Sequence, residues 1–252
     1  MVSGRFQELD WRQTPIGEII LRRRWDPVFA TEVHEIKLDD EFLMSSLFTH
    51  AEIELARRAL ARLAGEGPWD VVVGGLGLGY TAEAVLAEPR VESLLVVEAL
   101  DAVIDWHQRE LIPAGAGLVA DGRCRLVHGD FFALTAAEGF DPQRPGRRFH
   151  AVIVDIDHSP DHLLHPQHRG FYQPAGLRRL VDHLHPGGVF ALWSNDPPEP
   201  GFTGALGEVF PSVTAEIVHF PNPLTGQDSS NTVYLAQTGP VPVTDAGARR
   251  SS

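Results

Sequence analysis

Asp155 and Asp157 stand two residues apart at the end of an apolar run, Ala151-Val152-Ile153-Val154. Two carboxylates there can hold a cationic amine, and one of them can accept its proton. A loop acid capping the next element is the other reading of each. The Asp196 of Ser194-Asn195-Asp196-Pro197 would reach the same rim; for Ser194–Pro197 a plain turn is the alternative. His158, His162, His165 and His168 fall within eleven residues. Imidazoles suit several divalent ions, but Pro160 and Pro166 oppose the long helix that would align them. His158 is therefore read as an acceptor contact, and no metal is expected.

Further carboxylates end other apolar runs. Glu98 closes Leu94-Leu95-Val96-Val97, 19 residues after Gly79. An acid near that spacing commonly bonds ribose hydroxyls; a strand-end carboxylate facing water is the alternative. Asp130 follows Gly129 at the end of Leu126-Val127-His128. It can accept from an adenine amine with Phe131 against the ring, or it can cap a following helix. No Gly-x-Ser-x-Gly elbow and no Gly-Lys-Ser/Thr loop is present, so hydrolase and phosphate-loop chemistries lack their central residues.

A glycine turn must hold these groups together. Val71-Val72-Val73 runs into Gly74-Gly75-Leu76-Gly77-Leu78-Gly79 and then into a helical stretch, 81–87. Glycines after a strand allow positive φ and close approach of a ligand, which the next helix meets with free N–H groups. This context is that of a nucleotide-binding turn.

The remaining elements follow from periodicity. Strands are expected at 70–74, 94–98, 125–128, 151–156 and 188–193, with helices at 81–87, 101–110 and 174–184. That alternation implies a parallel sheet covered on both faces. Two final runs, 213–220 and 231–237, have only a loop between them and predict an antiparallel hairpin. Residues 1–48 read as a small β unit built on 17–24 and 31–38. A helix begins at Thr49, where Thr49 and Glu52 form a capping-box pattern. Residues 49–237 make the main domain, and 238–252 read as a disordered tail.

Composition narrows the classes. The chain has 252 residues and a formal net charge of −13, which opposes non-specific nucleic-acid binding. Its single cysteine, Cys124, excludes an internal disulfide and a thiolate cluster. No apolar run approaches the roughly 20 residues of a membrane helix, and the first residues carry no apolar leader core. A soluble, cytoplasmic protein is expected.

The order of these motifs resembles the spermidine synthase family, a branch of the class I S-adenosylmethionine (SAM)-dependent methyltransferase fold. The resemblance spans roughly 17–237 and rests on Gly74–Gly79, Glu98, Gly129-Asp130, Asp155 with its following acid, and Phe171-Tyr172. It implies a Rossmann-like α/β sheet of seven strands, a SAM or decarboxylated SAM donor and a small, potentially cationic acceptor. It also implies a homodimer or homotetramer through the N-terminal β unit. Gly74, Gly75, Gly77, Gly79, Glu98, Asp130 and Phe131 would bind the donor. Asp155 would be the acid/base, with Asp157 and Tyr172 beside it and His158 and Asp196 at the acceptor. Three departures stand out. Gly77 takes the place of the family's amine-holding aspartate. The gate, Asp155-Ile156-Asp157-His158-Ser159-Pro160, is one residue longer. Pro223 replaces a tyrosine beside the amine. Loss of two amine-holding groups tilts the expectation toward methyl over aminopropyl transfer. A degenerate nucleoside-binding relative without catalysis is the further alternative.

Overall fold

The computed structural model describes residues 6–224 and 226–239. Four antiparallel strands come first: β1 (Phe6–Thr14), β2 (Gly17–Asp26), β3 (Thr31–Leu38) and β4 (Glu41–Ser45), in that spatial order. Sequence periodicity indicated only the middle two. The outer strands were hidden because β1 shifts register between Glu8 and Asp10 and β4 has only five residues. Side chains alternate across this sheet. One face carries Ile19, Leu21, Ile36 and Met44 inward, where they join the core of the main domain. Asp10 fastens the sheet to that domain by accepting from Trp106 Nε1 at 2.8 Å and Arg109 at 3.0 Å.

Then come α1 (His50–Ala61), β5 (Trp69–Gly74), α2 (Tyr80–Leu86), β6 (Val91–Glu98), α3 (Asp101–Gln108), α4 (Gly115–Ala120), β7 (Cys124–His128) and α5 (Phe131–Ala136). They are followed by β8 (Phe149–Val154), a 3-10 turn (Pro166–Gly170), α6 (Pro174–Asp182), β9 (Leu184–Ser194), α7 (Pro200–Gly207), β10 (Ser212–Asn222) and β11 (Gln227–Gln237). The main sheet runs β7-β6-β5-β8-β9-β11-β10. Its first five strands are parallel, and the last hairpin is antiparallel. Val71 and Val73 face a core shared with α1, α2 and α3, while Val72 faces one built by α5, α6 and α7. Strands buried on both faces must be apolar at every position, which is why they read as runs rather than alternations.

Chain order reverses between β5 and β8. The crevice beyond the carboxyl ends of these two strands is the place where such sheets bind ligands. No helix among the described residues is long and apolar enough to cross a membrane. Thr238 and Gly239, the first residues of the expected tail, hydrogen-bond to Gly188 and Gly187 at 2.9 Å each. The rest of that tail, 240–252, lies outside the described residues.

Candidate functional site

A cavity of about 300 Å³ opens at the switch point. Gly75 and Gly77 form part of its floor, and both have positive φ, 93° and 45°. Gly75 is irreplaceable by geometry: a Cβ there would collide with the main-chain oxygen of Asp155. Gly74 and Gly79 do not line the cavity; each is needed for packing instead. Gly74 lies under the ring of Phe131, and Gly79, at φ 93°, starts α2 against Leu118 and His107. His107 is fully buried and donates from Nε2 to the Gly77 carbonyl at 2.8 Å, so it holds the turn from beneath. Sequence reading missed this histidine because it looks like one more residue of an amphipathic helix.

Glu98 lines the cavity and knots the turn. Its carboxylate accepts from Leu76 N at 3.0 Å and Leu100 N at 2.8 Å. Burial raises its pKa, against the pull of those N–H groups. Asp130 forms the expected helix cap and also borders the cavity. Its Oδ1 caps α5 by accepting from Phe132 N at 2.8 Å and Ala133 N at 3.2 Å. Phe131 touches the cavity but is 2% exposed, stacked on Phe140 at 4.7 Å. The neighbouring Phe132 also lines the cavity and stacks on His168 at 3.9 Å.

Asp155 reaches the cavity beyond β8 and accepts from the Thr81 hydroxyl at 2.8 Å. Opposite it stands Glu52, a residue the sequence pattern assigned to a capping box. That box does not form: Thr49 makes no side-chain cap bond. Glu52 instead turns inward, 8% exposed, and lines the same cavity. Burial, with the nearby charge of Asp155, pushes the Glu52 carboxyl up to about 8. Burial raises Asp155 to about 6, against the Thr81 hydrogen bond. Two carboxyl groups that cannot both ionise cheaply thus share one pocket.

Asp157 and Tyr172 do not reach the cavity. Asp157 is 2% exposed; it accepts from Leu164 N, His168 Nδ1 and the Tyr172 hydroxyl, each at 2.8 Å. These three donors occupy most of the acceptor capacity of the carboxylate. Its work is to fix the loop that carries His158, Leu164 and His168 into the cavity wall. Asp196 is exposed and borders a separate, smaller depression with Ser159 and Pro197. Pro223 lies in the exposed turn between β10 and β11 and is not a lining residue.

The loop histidines do not converge on one another as ligands. Among the described residues, the group whose ligand atoms do converge is Asp70, His150 and His185, at the strands' amino ends and away from the cavity. There His150 Nδ1 already accepts from Asp70 N at 2.9 Å, and Asp70 pairs with Arg147 at 2.5 Å.

The lining is strongly one-signed. It carries four carboxyl groups, Glu52, Glu98, Asp130 and Asp155, and no Lys or Arg. The opposite wall is apolar, contributed by Ile16, Ile19, Ile36, Leu43 and Met44 of the N-terminal sheet and its first turn.

The sheet order and the switch-point cavity define a class I methyltransferase fold. Human methyltransferase-like protein 13, solved with SAH, has the same fold at a TM-score of 0.58 and 18% identity, over 76% of this chain and 84% of that one. Spermidine synthase from Thermotoga maritima superposes at a TM-score of 0.69 and 18% identity, over 95% of this chain and 75% of that one. In sequence, the chain is 26% identical over 201 residues to putrescine N-methyltransferase 1 of Nicotiana tabacum, covering 69% of this chain and 51% of that relative. It is 27% identical over 207 residues to polyamine aminopropyltransferase 2 of Pseudomonas aeruginosa, covering 76% and 55%. The chain thus spans about half the length of the curated relatives it matches. No family model matches it. The chain has the methyltransferase fold and is similar in sequence to putrescine N-methyltransferases and a polyamine aminopropyltransferase.

Proposed function

We propose that this chain transfers an alkyl group from a SAM-type sulfonium donor to a small cationic amine. The observation that carries the reading is the acid-lined cavity at the switch point. Glu98, Asp130, Glu52 and Asp155 all line it, and no Lys or Arg does. Gly75 and Gly77 line the cavity with positive-φ backbone, the kind of turn that lets a nucleoside approach the main chain. Glu98 would hold the ribose and Asp130 the adenine, each with capacity beyond its backbone bonds.

The donor would supply a carbon activated by positively charged sulfur. The protein's part is alignment and proton removal. An amine attacks only after losing its proton. Asp155, raised to about 6, is matched to accept that proton near neutral pH. The N–C bond then forms as the C–S bond breaks, and the sulfur keeps the electron pair. Asp157, Tyr172 and His168 act indirectly by holding the loop. His158 offers a further contact at the cavity wall.

The lining charge also weighs between the two donors. SAM carries a carboxylate at its amino-acid end, which would enter a cavity with four acids and no Lys or Arg. Decarboxylated SAM carries only positive groups there. Charge complementarity therefore favours the decarboxylated donor and aminopropyl transfer, against the tilt that Gly77 and Pro223 gave from sequence. Methyl transfer to the same class of amine is the second reading, supported by the likeness to putrescine N-methyltransferases.

Calorimetric titration with SAM, decarboxylated SAM and methylthioadenosine tests the donor. Mass spectrometry of mixtures containing 1,4-diaminobutane tests the reaction. Binding of none of the three nucleosides would sink the cofactor assignment. Binding without any alkylated amine would favour a non-catalytic nucleoside binder.

A further inference from the structure

Glu52 is the least explained charged group in the molecule. It sits in the first turn of α1, more than nine-tenths buried, and its side chain lines the cavity. Among the described residues it makes no ion pair and no hydrogen bond to another side chain. A buried acid whose one hydrogen bond is to its own backbone is costly to keep ionised, so a cation entering the cavity beside it would be held favourably. Thr49 at the cap position leaves it free to turn inward, and α1 packs directly on α2 and β8.

The surroundings specify the ligand's sign and size. Asp155 faces Glu52 across the cavity, held by Thr81. Met44 and Leu43 make the adjoining wall apolar. No Lys or Arg lines the space, and its basic groups are the imidazoles of His158, His165 and His168, so a cationic ligand would supply the permanent positive charge. Glu52 and Asp155 also lie outside the group of residues whose atoms converge tightly enough for a metal ion. An alkylammonium group, with N–H donors at its head and a methylene chain behind it, matches two carboxylates set against an aliphatic wall.

We propose that Glu52 and Asp155 form a two-carboxylate clamp for a primary alkylammonium group, with Glu52 as a specificity-determining binding residue. The proposal rests on the SAM-type transferase reading given above. The ammonium belongs either to the amino-acid end of the donor or to the acceptor, and binding measurements separate the two.

The test is calorimetry on wild-type protein and Glu52→Gln with three probes. Methylthioadenosine has no amine and reports the nucleoside half alone. Decarboxylated SAM adds an alkylammonium on the donor. 1,4-Diaminobutane, titrated with methylthioadenosine present, supplies it on the acceptor. Losing one charge-assisted contact should weaken one of the two amine probes roughly 10- to 100-fold. Methylthioadenosine affinity should stay within about twofold. Selective loss for decarboxylated SAM assigns the clamp to the donor, and selective loss for the diamine assigns it to the acceptor. Unchanged affinity for both amines, with methylthioadenosine still bound, overturns the clamp and leaves the transferase reading standing. Failure of wild-type protein to bind methylthioadenosine overturns both. Retained methylthioadenosine binding by Glu52→Gln also shows that the variant is folded.

Discussion

The thioether of Met44 occupies the space beside Gly77 that any side chain at that position would need. A Cβ on Gly77 would stand 2.9 Å from Met44 Cε and closer still to Sδ, which itself lies 3.0 Å from Leu78 N. The N-terminal sheet therefore closes the glycine turn with an apolar group. The difference between Gly77 and Gly75 follows from what each would strike.

Gly77→Ala meets only the tip of a flexible side chain, so Met44 can swing away. The remaining strain is that of φ 45°, about 1–2 kcal/mol for a residue with a Cβ. Gly75→Ala meets the main-chain oxygen of Asp155 at φ 93°, and neither partner can move without parting β5 from β8. Thermal melts should show the Gly75→Ala loss clearly larger, and methylthioadenosine binding should vanish in that variant alone. Equal losses would refute the role given to Met44.

Stability of the unliganded protein should fall as pH rises. Glu52 titrates near 8 in the folded chain and Asp155 near 6, both above their ordinary values. The folded protein thus keeps protons that the unfolded chain has released, and stability drops through pH 4.5–8. Tyr80 and Glu83 on α2 stand nearby, both also raised by burial. His34, His107 and His150, lowered by burial, act oppositely below about 6.5. The difference between Glu52→Gln and wild type isolates the Glu52 contribution. The variant should gain at least about 1 kcal/mol by pH 8.5, or roughly 2–4 °C in Tm, and much less at pH 5. A pH-independent difference would count against the buried, unpaired state of Glu52.

The strand-end part of the cavity lining was legible in the sequence because its residues are bound to strand ends. Gly75, Glu98 and Asp130 each close an apolar run, and the parallel sheet brings those ends together whatever the loops do. Glu52 was not legible. Its spacing from Thr49 matches a capping box, and only the inward rotation of α1 shows that the carboxylate faces Asp155. Asp157 shows the opposite case, a residue expected at the site that does not line the cavity. Two residues from Asp155, it looked catalytic, yet the loop turns it away into contact with Tyr172 and His168. Strand ends are fixed by the sheet, whereas loop and helix-start side chains are fixed by tertiary contacts that no local pattern encodes.

Asp155 and Asp157 should therefore separate kinetically. Asp155→Asn removes the group facing the cavity and should cut turnover by about 10²-fold or more with nucleoside affinity kept. Tyr172→Phe removes one hydrogen bond to Asp157, worth about 1 kcal/mol of stability. It should raise the KM for amine with little change in kcat or in the pH dependence of kcat. A shifted kcat pH profile in Tyr172→Phe would show that the Asp157 network takes part in proton transfer.

The outer face of the N-terminal sheet predicts self-association. Phe6, Trp11 and Phe42 project from it at 59%, 54% and 52% exposure. Register places them on the face opposite Ile19 and Leu21, and Arg22 lies over the rings of Phe6 and Phe42 at 5.6 and 4.6 Å. Three large aromatic groups on one side of a four-stranded sheet form the kind of apolar patch that marks an interface. A two-fold pairing of that face would bury the rings of both copies, and none of the three lines the cavity. Light scattering after gel filtration should therefore give a dimer or tetramer for the wild-type protein. Trp11→Asp combined with Phe42→Asp should give a monomer that binds methylthioadenosine with unchanged affinity. A wild-type monomer at tens of micromolar would refute this interface. Loss of nucleoside binding on dissociation would instead mean that the apolar wall from Leu43 and Met44 is held in place by the partner copy.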